Sequence, residues 1–257
     1  PIITNKLLTV CQSRKDCLAI IDLEGDYTPA TEDTSSAENR IGAVSTAVSN
    51  LKTRNINNSY GCAFYPWVQV TDTLNSGERV WVPSSVAGFG AMAQSEARSE
   101  VWFAPAGFNR GGLGNLGGPA GPRVVQARQR LDSGDRDDLY EVNINPIATF
   151  PNEGVVVYGQ KTLQQVPSAL DRINVRRLLI HLKEKVGNIS RNLLFDQNVS
   201  STWARFKSQV EPLLQDVQSK FGITEYKLVL DDTTTTADLI EKNVMYAKIF
   251  NKPARAI

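Results

Sequence analysis

The 257-residue chain carries 28 lysines and arginines against 27 aspartates and glutamates, so its formal net charge at pH 7 is +1. This balance gives no general attraction to nucleic acid or to anionic membranes, and it disfavours a nucleic-acid partner. Three cysteines without a C-x-x-C pair and one histidine disfavour a disulfide scaffold and a zinc site. No apolar run approaches the ~20 residues of a membrane span, so we expect no membrane insertion.

The first 104 residues are predicted to alternate strands and helices. In chain order they hold a helix around residues 7–11, a strand at 17–21, a helix from 35 to 51, strands at 63–70 and 80–82, a helix from 84 to 98, and a strand at 101–104. The second helix begins with a capping box of Ser35 and Glu38, and the third carries small residues that let it lie close to a sheet. This alternation predicts an α/β layer, a mixed and largely parallel sheet flanked by helices.

The middle of the chain is irregular. Residues 105–122 hold seven glycines and three prolines, too many for a regular element, and they predict a long loop. The heavily charged residues 123–140 predict a surface segment. Two apolar runs, 147–150 and 155–158, flank a Pro-Asn-Glu-Gly turn and predict a hairpin.

We place a domain boundary at this hairpin turn, which gives an α/β domain over residues 1–152 and a smaller α+β domain over residues 153–257. The second domain contains a helix over residues 169–186, whose start is marked by Ser168 and Asp171. The apolar residues of this helix fall on two stripes, so we expect it to lie between two packing layers. The stripes enclose a basic strip, which we define as Arg172, Arg176, Arg177 and Lys183.

One more helix and two strands are predicted in the second domain. The helix begins at Ser201 or Thr202, and Gly222 is expected to form its left-handed C-cap. Strands are predicted at residues 226–230 and 244–250, with a run of four threonines between them.

Three patterns suggest chemistry, and each has a simpler interpretation. Residues 112–117 match G-x-G-x-x-G, so a nucleotide-binding α/β protein or enzyme using the glycine-rich loop 111–121 is the alternative function. That fingerprint needs a strand before it and a helix after it, and the sequence predicts neither. His181 lies within a helix without a predicted catalytic partner, and the acidic clusters at Asp135 and Asp231 lack the spacing of a calcium loop. We therefore predict no catalytic, cofactor or metal site.

The basic strip has two interpretations that the sequence leaves open. It is either a solvated helix face or a set of ion pairs to a neighbouring subunit, where individually weak pairs set the register of an assembly. The second interpretation expects that reversing the charges of Arg172 and Arg176 weakens assembly and leaves the subunit folded.

Three stretches, in the same order, resemble segments of the tail sheath proteins of contractile bacteriophages and related injection machines. They are VWFAPAGFNRGG at residues 101–112, SALDRINVRRLLIHLK at residues 168–183, and residues 203–257 with the closing Lys-Pro-Ala-Arg. The resemblance implies that the first domain has a subtilisin-like fold without its catalytic triad. It therefore implies a structural protein and not an enzyme, since fold similarity alone carries no chemistry.

The resemblance also implies that copies of the protein stack in rings around a tail tube and contract to drive the tube through the host cell envelope. The implied partners are other sheath subunits, the tail tube protein, the baseplate and the tail terminator. The implied location is the virion tail, with assembly in the host bacterial cytoplasm.

The family links its subunits by exchanging terminal strands, which is strand addition at an exposed edge. In this chain the predicted strand at residues 244–250 is the candidate, through Val244, Tyr246, Lys248 and Phe250. Members of the family have an N-terminal arm and a further strand beyond Lys-Pro-Ala-Arg. We therefore expect the chain as given to fold without polymerising.

Overall fold

The computed structural model describes residues 2–23, 43–72, 76–114 and 123–256. Its contacts divide the chain into two compact units, Pro1–Arg177 and Leu178–Ile257. This division lies after the predicted boundary at residue 152. The two strands of the hairpin at that boundary pair with each other, and both belong to the first unit. The domain boundary itself stays a prediction.

The described elements confirm a mixed α/β fold. The helices that begin in the first unit are α1 (Ile2–Arg14), α2 (Val44–Arg54), α3 (Ser84–Arg98), α4 (Gly107–Arg110), α5 (Ser133–Glu141) and α6 (Ile173–Arg191). Its strands are β1 (Ala19–Ile21), β2 (Gly61–Tyr65), β3 (Val68–Asp72), β4 (Glu78–Val82), β5 (Val124–Ala127), β6 (Ile144–Phe150) and β7 (Gly154–Val157). The second unit adds α7 (Ser200–Ser219), β8 (Ile223–Val229), α8 (Ala237–Glu241) and β9 (Lys248–Pro253).

The main sheet has the order β1-β2-β6-β7, in which β1, β2 and β6 run parallel and β7 pairs antiparallel with β6. Every residue of β2 is buried. Its Ala63 and Tyr65 pack with residues of α1, α2 and α5, whereas Cys62 and Phe64 pack with residues of α3. Helices thus cover both faces of the sheet, which explains why β2 is apolar throughout instead of alternating.

The single strand predicted over residues 63–70 is wrong, because two strands of different sheets occupy this region. β2 ends at Tyr65, and β3 begins at Val68 in an antiparallel sheet of order β4-β3-β5. Pro66 lies between them, and a proline lacks the N–H that an interior ladder position donates. The chain leaves the main sheet at this point and starts the second one.

The strand predicted at residues 101–104 is also wrong, since these residues form turns. The long loop predicted after them begins with the short helix α4, and its residues 115–122 lie outside the described part. The capping box predicted at Ser35 and Glu38 lies outside it as well.

The charged surface segment predicted at residues 123–140 contains regular structure. Strand β5 pairs with β3, and Asp132 caps α5 through a capping box with Asp135. The charged side chains mark solvent-facing positions, but they leave the backbone free to form a ladder and a helix. Charge density alone therefore misses both elements.

Helix α3 lies close to the main sheet, as its small residues predict. Ala87, Gly88 and Ala91 are buried, and a Cβ atom on Gly88 would lie 2.5 Å from the ring of Phe64. Phe64 is 1% exposed, so its ring cannot move aside without disturbing the core. The missing side chain at Gly88 thus permits the approach of α3 to β2.

Helix α6 begins later than predicted, because the backbone before it pairs with another segment. Ser168 caps only a 3-10 turn, Ala169–Asp171, by accepting a hydrogen bond from the N–H of Leu170 at 3.0 Å. The Asp171 carbonyl accepts from Thr162 N at 2.9 Å, and Ile173 N donates to the Gln160 carbonyl at 2.8 Å. Arg172 between them is extended, so the α-helix starts at Ile173.

In the second unit, α7 packs against β8 and buries one apolar stripe. Its buried residues are Trp203, Phe206, Val210, Leu214 and Val217. The helix starts at Ser200, slightly before the predicted Ser201 or Thr202, and its N-cap is Val199, which provides no side-chain hydrogen bond.

The left-handed residue that ends α7 is Phe221, with φ 61°, and not the predicted Gly222. Gly222 N donates to the Val217 carbonyl at 2.8 Å, and Phe221 N donates to the Gln218 carbonyl at 3.1 Å. These two bonds form a Schellman motif, which needs a left-handed residue at the first of the two positions. The side chain of Phe221 stays 77% exposed.

The close approach of α3 to β2 gives a test of the fold. We expect Gly88→Ala to lower the free energy of unfolding of the first unit by about 1–3 kcal/mol, because the added methyl group overlaps Phe64. Gly187→Ala is the control, since it adds the same methyl group to α6 where, apart from the neighbouring residues and backbone of the helix itself, nothing lies within 4 Å. This control should raise stability by about 0.5–1 kcal/mol through helix propensity. Urea unfolding followed by circular dichroism measures both, and a stabilising Gly88→Ala would contradict the packing described.

Candidate subunit interface

Arg176 of the basic strip is 6% exposed, so it is not part of a solvated face. Its guanidinium carbon lies 3.9 Å from the centre of the Tyr60 ring, and its Nη2 donates to Ser59 Oγ. Burial lowers the pKa of Arg176, and the neighbouring Tyr60 opposes this effect. The guanidinium remains cationic at neutral pH, and the aromatic face replaces part of its lost hydration.

Arg177 connects α6 to α3 within the first unit. Its side chain is 10% exposed, and its Nη2 lies 2.8 Å from Oε2 of Glu96, whose side chain is 58% exposed. Burial lowers the pKa of Arg177, while the Glu96 carboxylate acts in the opposite direction. Because the arginine is largely shielded from water, this pair is screened less than a fully exposed one.

Arg172 belongs to a cluster around Tyr140. Its Nη1 donates to the Tyr140 hydroxyl at 3.1 Å, and its Nε lies 3.7 Å from Asp171 Oδ1. Lys161 Nζ lies 4.0 Å from the centre of the same ring and donates to the Tyr140 carbonyl at 2.7 Å. Burial lowers the pKa of Lys161, and the nearby Arg172 lowers it further. Two cations thus hold one aromatic side chain.

The basic strip is therefore not a uniform surface. Its three arginines have partners inside the first unit, whereas Lys183 is exposed in the second unit. The expectation that Arg176 can be reversed while the subunit stays folded conflicts with its burial. The assignment of the strip to a subunit interface stays a prediction.

Strands β8 and β9 form an antiparallel ribbon, which we call the terminal ribbon. Within the described part of the second unit these two strands make up the whole sheet, so the outer edge of each has no strand partner there. Residues of β9 alternate between exposed and partly buried, and Lys248, Phe250 and Lys252 are the exposed set. Lys227 lies opposite Phe250, and Glu225 lies opposite Lys252 with an ion pair of 3.1 Å.

The strand predicted at residues 244–250 begins only at Lys248, so Val244 and Tyr246 precede the ribbon. Tyr246 is held by Thr235, whose Oγ1 accepts from Tyr246 N at 3.0 Å and donates to the Tyr246 carbonyl at 3.2 Å. Thr235 is 1% exposed. The run of four threonines is expected only to connect two strands. One of them, Thr235, is instead buried and holds the segment before β9 by two hydrogen bonds.

The side chains predicted to contact a neighbour in this region are exposed to different degrees. Val244 is 41% exposed, Tyr246 is 49% exposed and Phe250 is 56% exposed, and Lys248 is also exposed. Phe250 is the largest apolar group on the exposed positions of the ribbon. Their contact with another subunit stays a prediction.

Sequence reasoning missed an aromatic cluster on the first unit. The rings of Phe108 and Phe150 meet edge to face with centroids 5.0 Å apart, and Tyr158 lies 5.1 Å from Phe150. The guanidinium of Arg136 lies 5.4 Å from the Phe150 ring centre. Phe108 lies on α4, Arg136 on α5, Phe150 at the end of β6 and Tyr158 directly after β7, so the fold brings them together.

The patterns that suggest chemistry find no support in the described residues. Helix α4 precedes the glycine-rich loop and β5 follows it, whereas a dinucleotide fingerprint has a strand before and a helix after. The alternative of a nucleotide-binding protein is therefore not supported. The described ranges contain no cluster of three or more His, Cys, Asp or Glu residues suited to a metal ion. Nor does a helix in these ranges have the length and apolar character needed to cross a membrane.

Comparison with known proteins places the chain beside tail sheath proteins. Residues 165–257 match the family described as phage tail sheath C-terminal domain. The chain is 32% identical over 252 residues to the tail sheath protein of Enterobacteria phage T4, which covers 98% of this chain and 37% of that protein. It is 36% identical over 186 residues to the tail sheath protein of Vibrio phage KVP40, which covers 72% of this chain and 26% of that protein. The chain thus spans well under half of each relative.

A solved structure shows the same fold. The PVC sheath complex of an extracellular contractile injection system, in its contracted state, matches with a TM-score of 0.76 and 21% identity. The match covers 99% of this chain and 65% of that one. Together with the sequence relatives, it confirms the predicted resemblance to contractile tail sheath proteins.

The burial of Arg176 gives a test that separates a structural role inside the first unit from a role at a subunit interface. We expect Arg176→Glu to lower the free energy of unfolding by about 2–4 kcal/mol, because it places an unpaired anion against the Tyr60 ring. Lys185→Glu is the control, since it reverses a charge at an exposed position of the same helix, and it should change stability by less than about 0.5 kcal/mol. Urea unfolding measures both. An Arg176→Glu protein with unchanged stability and impaired assembly would favour the interface interpretation instead.

Proposed function

We propose that this chain, which resembles tail sheath proteins along nearly its whole length, is part of a structural subunit of a contractile tail sheath. Such a subunit polymerises around a tail tube and contracts to drive the tube through the host cell envelope. The observation that carries the proposal is the alignment with the phage T4 sheath protein over 98% of this chain. The proposed role is structural, without an enzymatic reaction.

The arrangement of the first unit supports a more specific proposal about the fold. Its main sheet has three parallel strands with helical residues packed on both faces. We infer that residues 1–152 form a subtilisin-like sheath domain without a catalytic triad, and that residues 153–257 form the domain that links subunits. The family match over residues 165–257 supports the second assignment.

The terminal ribbon supports a mechanism for the linkage between copies. An isolated two-stranded sheet is only marginally stable, and the unpaired N–H and C=O groups of an edge are a template for another strand. A terminal segment of a neighbouring subunit would add to the ribbon by backbone hydrogen bonds and cover exposed side chains such as Phe250. The added backbone hydrogen bonds and the covered side chains would both stabilise the ribbon when a neighbouring subunit supplies a third strand.

The remaining partners are proposed from the similarity alone. They are the tail tube protein, the baseplate and the tail terminator, and the location is the virion tail after assembly in the host bacterial cytoplasm. Relatives occur in phage tails and in injection systems, and the same structural role applies to both.

The role of the ribbon is tested in the full-length sheath protein with Phe250→Asp. We expect this variant to fold normally and to associate about tenfold to a hundredfold more weakly, since burying a phenylalanine contributes roughly 1.5–3 kcal/mol. Sedimentation and electron microscopy of tubes or stacked rings measure the loss, and circular dichroism checks the fold.

Phe195→Asp is the matched control for this experiment. Phe195 is a fully exposed phenylalanine of the same unit outside the ribbon, and its φ of 72° suits aspartate well. The control should assemble like the parent protein. Normal tubes from Phe250→Asp, or an equal loss from both variants, would remove the ribbon from the linkage.

A further inference from the structure

Two of the three cysteines lie side by side at the end of α1. The Sγ atom of Cys17 is 3.4 Å from that of Cys11. Cys11 is 3% exposed on α1, and Cys17 lies partly exposed in the connection to β1. Lys15, with φ 61°, turns the chain back, and its N–H donates to the Cys11 carbonyl at 2.8 Å. This turn is what brings the two thiols together.

We propose that Cys11 and Cys17 are an oxidation site, at which a small-molecule disulfide such as oxidised glutathione converts the two thiols into an intramolecular disulfide that fastens α1 to β1. The site is separate from the proposed assembly function and does not rest on it.

The geometry requires little movement. A disulfide has an S–S distance of about 2.04 Å, so the two sulfur atoms must approach by roughly 1.4 Å from their 3.4 Å contact. The connection between them includes Arg14, Lys15 and Asp16, whose side chains are exposed. The approach therefore falls within side-chain rotation and a small shift of this turn.

The reaction proceeds by two exchange steps. The Cys17 thiolate attacks one sulfur of the small disulfide, forms a mixed disulfide and releases one thiolate, which takes the proton that Cys17 lost. The Cys11 sulfur then attacks Cys17 Sγ, forms the Sγ–Sγ bond and releases the second small thiol with the proton of Cys11. The two cysteines lose two electrons and two protons, and the small disulfide gains them.

Cys17 attacks first because it is the more accessible of the two thiols. Burial raises its pKa to about 11, and the neighbouring Cys11 and Asp16 contribute to the rise. Arg14, the other charged group beside it, is paired with Asp16 at 2.9 Å. Oxidation is therefore slow at neutral pH, and its rate should rise about tenfold per pH unit between pH 7 and pH 10, as the thiolate fraction does.

Cys62 is an internal reference. It is fully buried, and burial raises its pKa far above the usual range of a thiol. Its Sγ contacts the Ala19 carbonyl at 3.6 Å and not another sulfur atom. Under the same treatment Cys62 should remain a free thiol.

The test is peptide mapping after incubation of the folded protein with oxidised glutathione at pH 8.5. The protein is then denatured in the presence of N-ethylmaleimide, which blocks every free thiol, and is digested with trypsin without a reductant. Because Arg14 and Lys15 lie between the two cysteines, a disulfide joins two separate tryptic peptides. We expect this linked pair, two hydrogens lighter than the sum of its peptides, and blocked Cys62.

Two variants make the assignment specific. Cys11→Ser should leave glutathione attached to Cys17, because no second thiol displaces it, and Cys62→Ala should retain the linked pair. Oxidised parent protein that carries glutathione on Cys17 without the linked pair would overturn the proposal. So would three blocked thiols after prolonged incubation, or dimers linked between copies on a non-reducing gel.

Discussion

The burial of β2 on both faces is the constraint on which the first unit depends. A strand with helices on either side has no position for a solvated side chain. β2 meets this requirement because its alternate side chains belong to the two apolar clusters on the opposite faces of the sheet. The neighbouring β6 meets the constraint with one buried polar residue, Asn145, which is 0% exposed. Its Nδ2 donates to the carbonyls of Ala63 and Lys161 at 2.9 and 2.8 Å, and its Oδ1 accepts from Lys161 N. Because every polar atom of its amide is paired, Asn145 ties the sheet to the next segment without an unsatisfied group.

That segment in turn positions the basic strip. Residues 160–162 pair with the backbone around Arg172, which delays the start of α6 and orients its first turns. Arg176 then stacks on Tyr60 and donates to Ser59, which lies 117 positions earlier in the sequence. Arg177 pairs with Glu96, which lies 81 positions earlier. Helical periodicity shows which residues share a face, but the partners that decide whether an arginine is buried come from distant parts of the chain. For this reason the sequence predicts the strip and leaves its environment open.

The same distinction separates the correct predictions of the fold from the wrong ones. The alternation of strands and helices and the small residues of α3 are local patterns, and the structure has a mixed α/β fold with α3 close to its sheet. β2 and β3 are separated at Pro66 and belong to different sheets. The proline is visible in the sequence, but the sequence does not show that the chain changes sheets there. The pairing of β5 with β3, and the burial of Thr235 beneath Tyr246, depend on contacts between segments with ordinary polar sequences. No pattern in those segments distinguishes them from surface loops.

The two units differ in how much of their stability is internal. The first has a sheet covered on both faces, whereas the second has one helix against a two-stranded ribbon and three phenylalanines that remain exposed, at positions 195, 221 and 250. A single exposed apolar side chain is ordinary. Phe195 and Phe221 also adopt positive φ, which is unfavourable by roughly 1 kcal/mol for a residue with a side chain. Phe195 and Phe221 are exposed and their φ angles are unfavourable for phenylalanine, so neither burial nor backbone preference explains this residue type at the two positions. Contact with another subunit at the terminal ribbon would explain Phe250, and also Phe221, which lies two positions before the ribbon. Their aromatic surface would then leave water at the moment of assembly.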